Sequence, residues 1–175
     1  MAHLFYLSEE DLLSSGQLIW RIDDRLIHGQ VIIGWVGQLP IKRLIVSDDE
    51  IARTTWEKNL LLMASPPGLP TEILSIAETA NHYTKWETSQ KITMILMRSV
   101  ACLKKLVDAG VRIGEVNIGG IHYREDRKEF LSYLYLSEEE IKTLKDLMQK
   151  GISFKCQDVP SASTHNLEKL LYKRK

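Results

Sequence analysis

Residues 21–30 bring several chemically active side chains into one short stretch of the chain. The stretch reads Arg-Ile-Asp-Asp-Arg-Leu-Ile-His-Gly-Gln and begins in an apolar run that predicts a β-strand. His28 carries an imidazole, which is neutral near pH 7 and can attack phosphorus directly. Arg25 stands three residues earlier, and its guanidinium fork suits the oxygens of a phosphoryl group. The spacing therefore predicts a loop that holds a nucleophile beside an anion clamp.

Neighbouring residues of this loop have predicted supporting roles. Asp23 and Asp24 can orient Arg25 or the imidazole of His28. Gly29 precedes a predicted helix, where backbone N–H groups can cradle an anion with the help of the helix dipole. A simpler interpretation stays open, in which a loop histidine hydrogen-bonds to an aspartate and the arginines lie on the surface.

A second alternative concerns Asp48 and Asp49, which end another predicted strand. Together with the aspartates of the first loop they can hold Mg²⁺, as in an aspartyl-phosphate receiver domain. That site also needs a lysine and a Ser or Thr at strand ends, and Arg98-Ser99 supplies only half of this requirement. The competing interpretation is that the aspartates cap a helix beginning at Glu50.

The elements that position these loops alternate between strand and helix patterns, which predicts right-handed βαβ units and a mostly parallel sheet. Ser137 with Glu140 forms a capping box, and Gly151 ends the same helix. The predicted strands cover 17–22, 42–47, 71–74, 91–97, 112–118, 131–136 and 152–157. The predicted helices cover 27–39, 50–64, a stretch ending near 84, 100–109, 137–150 and 166–172.

Three strand ends carry polar or glycine-rich loops: 21–30, 47–49 and 117–122. In open α/β sheets, ligands bind beyond the carboxyl ends of the strands. We therefore expect all three loops at one edge of the sheet. His122 follows the pair Gly119-Gly120 at such an end, which makes it a second candidate histidine for the site.

Composition bounds the class of protein. The 175 residues carry 23 Lys and Arg and 23 Asp and Glu, so no basic excess favours nucleic-acid binding. The two cysteines form no C-x-x-C pair, which argues against a disulfide framework or a zinc site and suits a reducing cytosol. No apolar run predicts a membrane span, and the acidic start does not resemble a secretory signal. We predict one domain over 17–175 and a loose extension over 1–16, with a short helix capped by Ser8.

Five blocks of the chain carry a resemblance to one family. They are R-I-D-D-R-L-I-H-G-Q-V at 21–31, R-L-I-V-S-D-D-E-I-A at 43–52, L-L-L-M-A-S-P-P-G-L at 60–69, V-N-I-G-G-I-H-Y at 116–123 and L-S-E-E-E-I-K-T-L-K-D-L at 136–147. In this order they resemble the IIB component of the mannose/sorbose-type phosphoenolpyruvate-dependent sugar phosphotransferase system. The resemblance covers about 18–160, and the histidine motif is its most specific block.

The resemblance implies a fold and an activity. The fold is a single α/β domain, a mostly parallel open sheet with helices on both faces. His28 is the phosphoryl carrier, phosphorylated on Nδ1, and Arg25 contacts the phosphoryl group together with Gly29. The activity is that of a protein-Npi-phosphohistidine–sugar phosphotransferase, without metal or organic cofactor. The supporting residues are Asp23, Asp24, Gln30, Asn117, Gly119 and Gly120.

The resemblance also implies partners. The phosphoryl group comes from a phosphohistidine on a IIA domain and passes to a sugar imported through the membrane components IIC and IID. The protein is then cytoplasmic and peripheral to the inner face of the membrane when bound to them, with no nucleic-acid partner; a homodimer stays open. The alternative function is a phospho-switch that reports sugar or phosphotransferase status to a regulator. Arg98 and the basic 122–124 stretch depart from the family pattern, and Arg98 is a candidate for an extra phosphate or partner contact.

Overall fold

Residues 18–172 of the computed structural model are described here, and they form nine strands and seven helices. The predicted extension at 1–16, its Ser8-capped helix and the last three residues of the chain lie outside the described residues. The strands are β1 Leu18–Asp23, β2 Ile41–Ser47, β3 Thr71–Leu74, β4 Ile92–Met97, β5 Glu115–Gly120, β6 Lys128–Leu131, β7 Leu134–Leu136, β8 Ser153–Cys156 and β9 His165–Asn166. The helices are α1 Gln30–Val36, α2 Asp49–Arg53, α3 Thr55–Met63, α4 Ile76–Glu87, α5 Val100–Asp108, α6 Glu138–Gln149 and α7 Leu167–Tyr172.

Seven strands form one sheet in the order β3-β2-β4-β1-β5-β8-β9. All neighbouring pairs are parallel except β8 and β9. The chain leaves β1 towards β2 on one side and later returns from β4 to β5 on the other side. This reversal places a crevice at the carboxyl end of β1, where open α/β sheets bind their ligands. The predicted α/β class and mostly parallel sheet are confirmed.

Helices cover both faces of the sheet because successive side chains of its central strands point in opposite directions. All six residues of β4 are buried. On one face Met94 and Leu96 pack with Val31 and Trp35 of α1 and with the helices that follow β2. On the other face the alternate residues of the same strand pack with α4, α5 and α6. The core therefore fixes α1, the helix after the histidine loop, against the centre of the sheet.

Three predicted elements differ from the structure. The predicted helix at 50–64 is two helices, because Thr54 is extended, with φ −103° and ψ 99°. The predicted helix at 27–39 begins only at Gln30 and is wound as a π-helix, a pitch that apolar spacing does not encode. The predicted strand at 131–136 contains a turn and belongs to an antiparallel hairpin of β6 and β7 outside the main sheet.

Local signals at the helix ends are confirmed. Ser137 and Glu140 form the predicted capping box of α6, each side chain bonding to the other residue's backbone N–H. Gly151, after the end of α6, has φ +92°, a conformation that suits glycine. Cys102 and Cys156 are both free, and burial raises the pKa of the Cys156 thiol to about 12.

Candidate functional site

A buried arginine forms the base of the site. Arg21 of β1 has no solvent exposure, and its Nη2 lies 3.0 Å from Asp23 Oδ2. Its guanidinium donates to the carbonyls of Gln157 at 2.9 Å and Asp158 at 2.8 Å, and also to Asn117 Oδ1. Burial lowers the pKa of Arg21 to about 10, although Asp23 acts in the opposite direction. Arg21 thereby ties the end of β1 to β5 and to the loop after β8.

An aromatic ring and a glycine shape the slot that holds the Arg21 guanidinium. The guanidinium carbon lies 4.6 Å from the centroid of the Trp35 ring, a cation–π contact. Gly119 supplies the remaining space, since a Cβ there would lie 1.6 Å from Arg21 Nη2. The predicted supporting residues Asn117 and Gly119 thus act on Arg21 rather than on the loop directly.

Asp23 links this buried arginine to the loop above it. Its carboxylate is fully buried, and Oδ1 accepts from the backbone N–H of Arg25 at 3.3 Å and from its Nε at 3.4 Å. Oδ2 lies 3.9 Å from His28 Nε2. The structure therefore brings the predicted orienting aspartate between the predicted nucleophile and the predicted clamp.

His28 is mostly covered, with 17% of its side chain exposed. Nδ1 lies 2.9 Å from the carbonyl oxygen of Leu26, and a carbonyl can only accept, so Nδ1 carries the proton in this orientation. Nε2 is buried and has no hydrogen-bond partner within residues 18–172. Leu26 itself has φ +56°, which is strained for a bulky residue. The turn before the histidine is thus held in an unfavourable backbone conformation.

The rim of the loop is open. Arg25 is 38% exposed, and its Nη2 donates to Gln30 Oε1 at 2.6 Å. Gly29 starts α1 with φ −51°, and a Cβ there would meet no atom within 4 Å. The approach to the loop at Gly29 is therefore open.

The loop after β5 meets the histidine loop through Asp24, Gly120 and His122. The Asp24 backbone N–H donates to the carbonyl of Gly120 at 2.9 Å. Asp24 Oδ2 accepts from the backbone N–H of His122 at 2.8 Å, and its Oδ1 lies 2.6 Å from His122 Nδ1. The structure places the third predicted loop beside the first, as expected from the order of β1 and β5.

The aspartates after β2 have a structural role. Asp48 caps α2 by accepting from the backbone N–H groups of Glu50 at 2.9 Å and Ile51 at 3.0 Å, which confirms the capping interpretation. Arg98 binds the same carboxylate through Nε at 3.0 Å and Nη2 at 2.9 Å. Asp49 accepts from the Ile76 backbone N–H, which with the Lys105 ammonium lowers the pKa of Asp49.

The receiver-like cluster does not form. Between residues 18 and 172, no group of three or more His, Cys, Asp or Glu side chains is arranged to hold a metal ion. Arg98, the candidate for an extra phosphate contact, is bound to Asp48 and to Glu50 at 2.8 Å. The β2 and β4 ends thus form an ion-pair cluster of their own.

Sequence reasoning missed part of the site. Arg21 stands in the histidine motif, seven residues before His28, but the sequence indicates neither its burial nor a role of its own, and the predicted site residues did not include it. Its partners Gln157 and Asp158 lie 136 and 137 positions away along the chain. The signal that was available is the alternation of β1, which puts Arg21 and Asp23 on one face of the strand.

Comparisons with known proteins show which family the chain is similar to. Residues 17–175 match the family model described as "PTS system sorbose subfamily IIB component". The chain is 33% identical over 139 residues to the PTS system mannose-specific EIIAB component of Escherichia coli (strain K12), covering 79% of this chain and 43% of that protein. It is 32% identical over 150 residues to the N-acetylgalactosamine-specific phosphotransferase enzyme IIB component 1 of the same strain, covering 85% and 94%.

Solved structures extend the likeness. The IIBSor domain of the sorbose permease from Klebsiella pneumoniae superposes with a TM-score of 0.82 at 26% identity, over 91% of this chain and 98% of that one. The fold is that of phosphotransferase-system IIB structures, and the family match over nearly the whole chain gives the subfamily. The chain belongs to the sorbose-type IIB components of the sugar phosphotransferase system, as the five sequence blocks predicted. It spans less than half the length of the mannose-specific relative. None of the helices within residues 18–172 is long and apolar enough to cross a membrane.

Proposed function

We propose that His28 accepts a phosphoryl group from a phosphohistidine of a IIA partner and passes it to a sugar imported through IIC and IID components. The observation that carries this proposal is the arrangement of His28 and Arg25 on either side of the buried Asp23 carboxylate. A nucleophile and a guanidinium are thereby held at the reversal point of the sheet, with Arg25 reaching solvent. The site would act at the cytoplasmic face of the membrane.

The transfer to His28 is a displacement at phosphorus. A lone pair of the imidazole forms the new N–P bond while the N–P bond of the donor breaks and its electron pair returns to the donor ring. The transferring group carries negative charge on its oxygens, and Arg25 stabilises that charge with a guanidinium fork. Donor and acceptor are both imidazoles, so the step is close to balanced in free energy.

We propose Nδ1 as the attacking atom. Nδ1 faces the Leu26 carbonyl, so the ring must turn away from that oxygen and carry its proton on Nε2 before attack. In the resting orientation Asp23 Oδ2 lies 3.9 Å from Nε2, and a carboxylate at that position favours the tautomer that carries its proton on Nε2. The Leu26 contact thus defines the resting orientation, and Asp23 is the carboxylate that favours the reactive tautomer.

The remaining predicted residues support the loop in this proposal. Gly29 leaves the approach to the histidine open, and Gln30 holds the end of Arg25. Asn117 and Gly119 position Arg21, while Asp24 and Gly120 join the loop to β5. In the second step the sugar hydroxyl oxygen forms the P–O bond as the P–N bond breaks; the electron pair of the P–N bond returns to the imidazole, which takes up the proton of the hydroxyl.

A labelling experiment tests the proposal. Incubation with a phosphorylated IIA domain should place one acid-labile, base-stable phosphoryl group on the wild-type chain and none on His28→Gln. His82→Gln is the matched control, because His82 is an exposed histidine of α4 whose Nδ1 faces the Glu78 carbonyl. Labelling of His28→Gln at the wild-type level would refute the assignment.

A further inference from the structure

A second histidine is fixed at the edge of the site. Two bonds to Asp24, at the ring Nδ1 and at the backbone N–H, set the orientation of His122. Because the carboxylate accepts at Nδ1, that nitrogen carries a proton and Nε2 is left for another partner. Among the residues that the structure describes, no polar atom hydrogen-bonds to Nε2, and 44% of the side chain is exposed.

The ring of His122 and the clamp Arg25 border the same small space. The position that a Cβ on Gly120 would occupy is 3.3 Å from His122 Cε1 and 3.4 Å from Arg25 Nη2. Asp23 Oδ1 lies 3.2 Å from this point, and the other oxygen of Asp23 faces His28. The imidazole edge at Cε1 and the Arg25 guanidinium thus both border the space above Gly120.

We propose that His122 is a second contact for the phosphoryl group on His28. This inference rests on the proposed function of His28. In its protonated form His122 donates from Nδ1 to Asp24 and from Nε2 to a phosphoryl oxygen, beside the bonds from Arg25. In its neutral form Nε2 holds a lone pair and cannot donate. His122 therefore favours the phosphorylated state of His28 only while it is protonated.

The charged groups around His122 set this behaviour. Asp24 attracts the protonated ring, and so does Asp23, although Asp23 is already paired with Arg21; Arg25 repels the ring until a phosphoryl group lies between them. Arg127 donates to the His122 carbonyl at 2.8 Å, but its own charge is paired with Glu140 of α6 at 2.7 Å. An added phosphoryl dianion thus meets two cationic groups.

The test measures how the phosphoryl group divides between a IIA domain and this chain at equilibrium. For each variant this division gives an equilibrium constant. The ratio of the wild-type constant to the His122→Gln constant is independent of how the IIA domain itself responds to pH. The ratio should rise from one towards about tenfold as the pH is lowered, the effect of one charge-assisted hydrogen bond. His82→Gln should give a ratio of one at every pH.

The outcomes separate this inference from the proposed function. A ratio of one across the whole pH range would overturn the role of His122 while His28 is still labelled. A ratio that differs from one by the same factor at every pH would also overturn it, because a structural role does not titrate. A wild-type chain that takes no phosphoryl group would overturn the proposed function and this inference with it. Circular dichroism of His122→Gln, compared with the wild type in the same phosphorylation state, checks that the variant is folded.

Discussion

Gly119→Ala tests whether the slot for Arg21 organises the site. A Cβ at this position would lie 1.6 Å from Arg21 Nη2 and 1.8 Å from Cζ, so the guanidinium must leave its slot. It would then lose its bonds to the carbonyls of Gln157 and Asp158 and its pair with Asp23. Asp23 is fully buried and would keep only its contacts to Arg25, at 3.3 and 3.4 Å; removing a partner of a buried charge costs about 3–5 kcal/mol.

Equilibrium urea unfolding measures this cost. Gly29→Ala is the matched control, since the added Cβ meets nothing within 4 Å and φ is −51°. We expect its free energy of unfolding to stay within about 1 kcal/mol of the wild type. A double variant removes the obstacle: in the Arg21→Ala background, Gly119→Ala should add little further destabilisation. A Gly119→Ala protein as stable as Gly29→Ala would refute the reasoning.

Three further predictions concern the role of Arg25, the independence of the transfer from metal ions, and stability in acid. Arg25→Lys should slow phosphoryl transfer roughly 10- to 100-fold, because a point charge replaces a bidentate contact. Its thermal stability should be nearly unchanged. Transfer at the wild-type rate would contradict the role of Arg25 in binding the phosphoryl group. Transfer between the IIA domain and His28 should persist in excess EDTA, measured by the rate of labelling; loss on chelation with recovery in Mg²⁺ favours the receiver-like reading. Asp49 has a lowered pKa, so its stabilising contribution is present above its ordinary value of 3.8 and is lost as pH falls below it. Asp49→Asn should therefore make the free energy of unfolding fall less steeply on acidification, and an unchanged slope opposes this assignment.

Local signals predicted the framework of the protein. Ser137, Glu140 and Gly151 fix the ends of α6 through contacts within a few residues, so their spacing alone is informative. The buried strands are visible as apolar runs because both faces of the parallel sheet are covered. The shared edge for the loops then follows from the topology of parallel sheets.

Features that depend on distant contacts could not be predicted in this way. Arg21 is buried because carbonyl groups from the far end of the chain meet it and because Gly119 has no Cβ. The left-handed conformation of Leu26 is contrary to its local preference and is imposed by the surrounding structure. The break at Thr54 interrupts a pattern that reads as continuous helix. In each case tertiary structure overrides the local preference.

Mapping the phosphorylated atom tests the central claim most directly. The chain is phosphorylated by a IIA domain, kept at alkaline pH, digested, and its modified residue and ring nitrogen are identified by mass spectrometry and by phosphorus–nitrogen coupling in NMR. The account predicts one phosphoryl group, on Nδ1 of His28. A stable phosphoryl group on His122, or on one of the aspartates after β2, would contradict it.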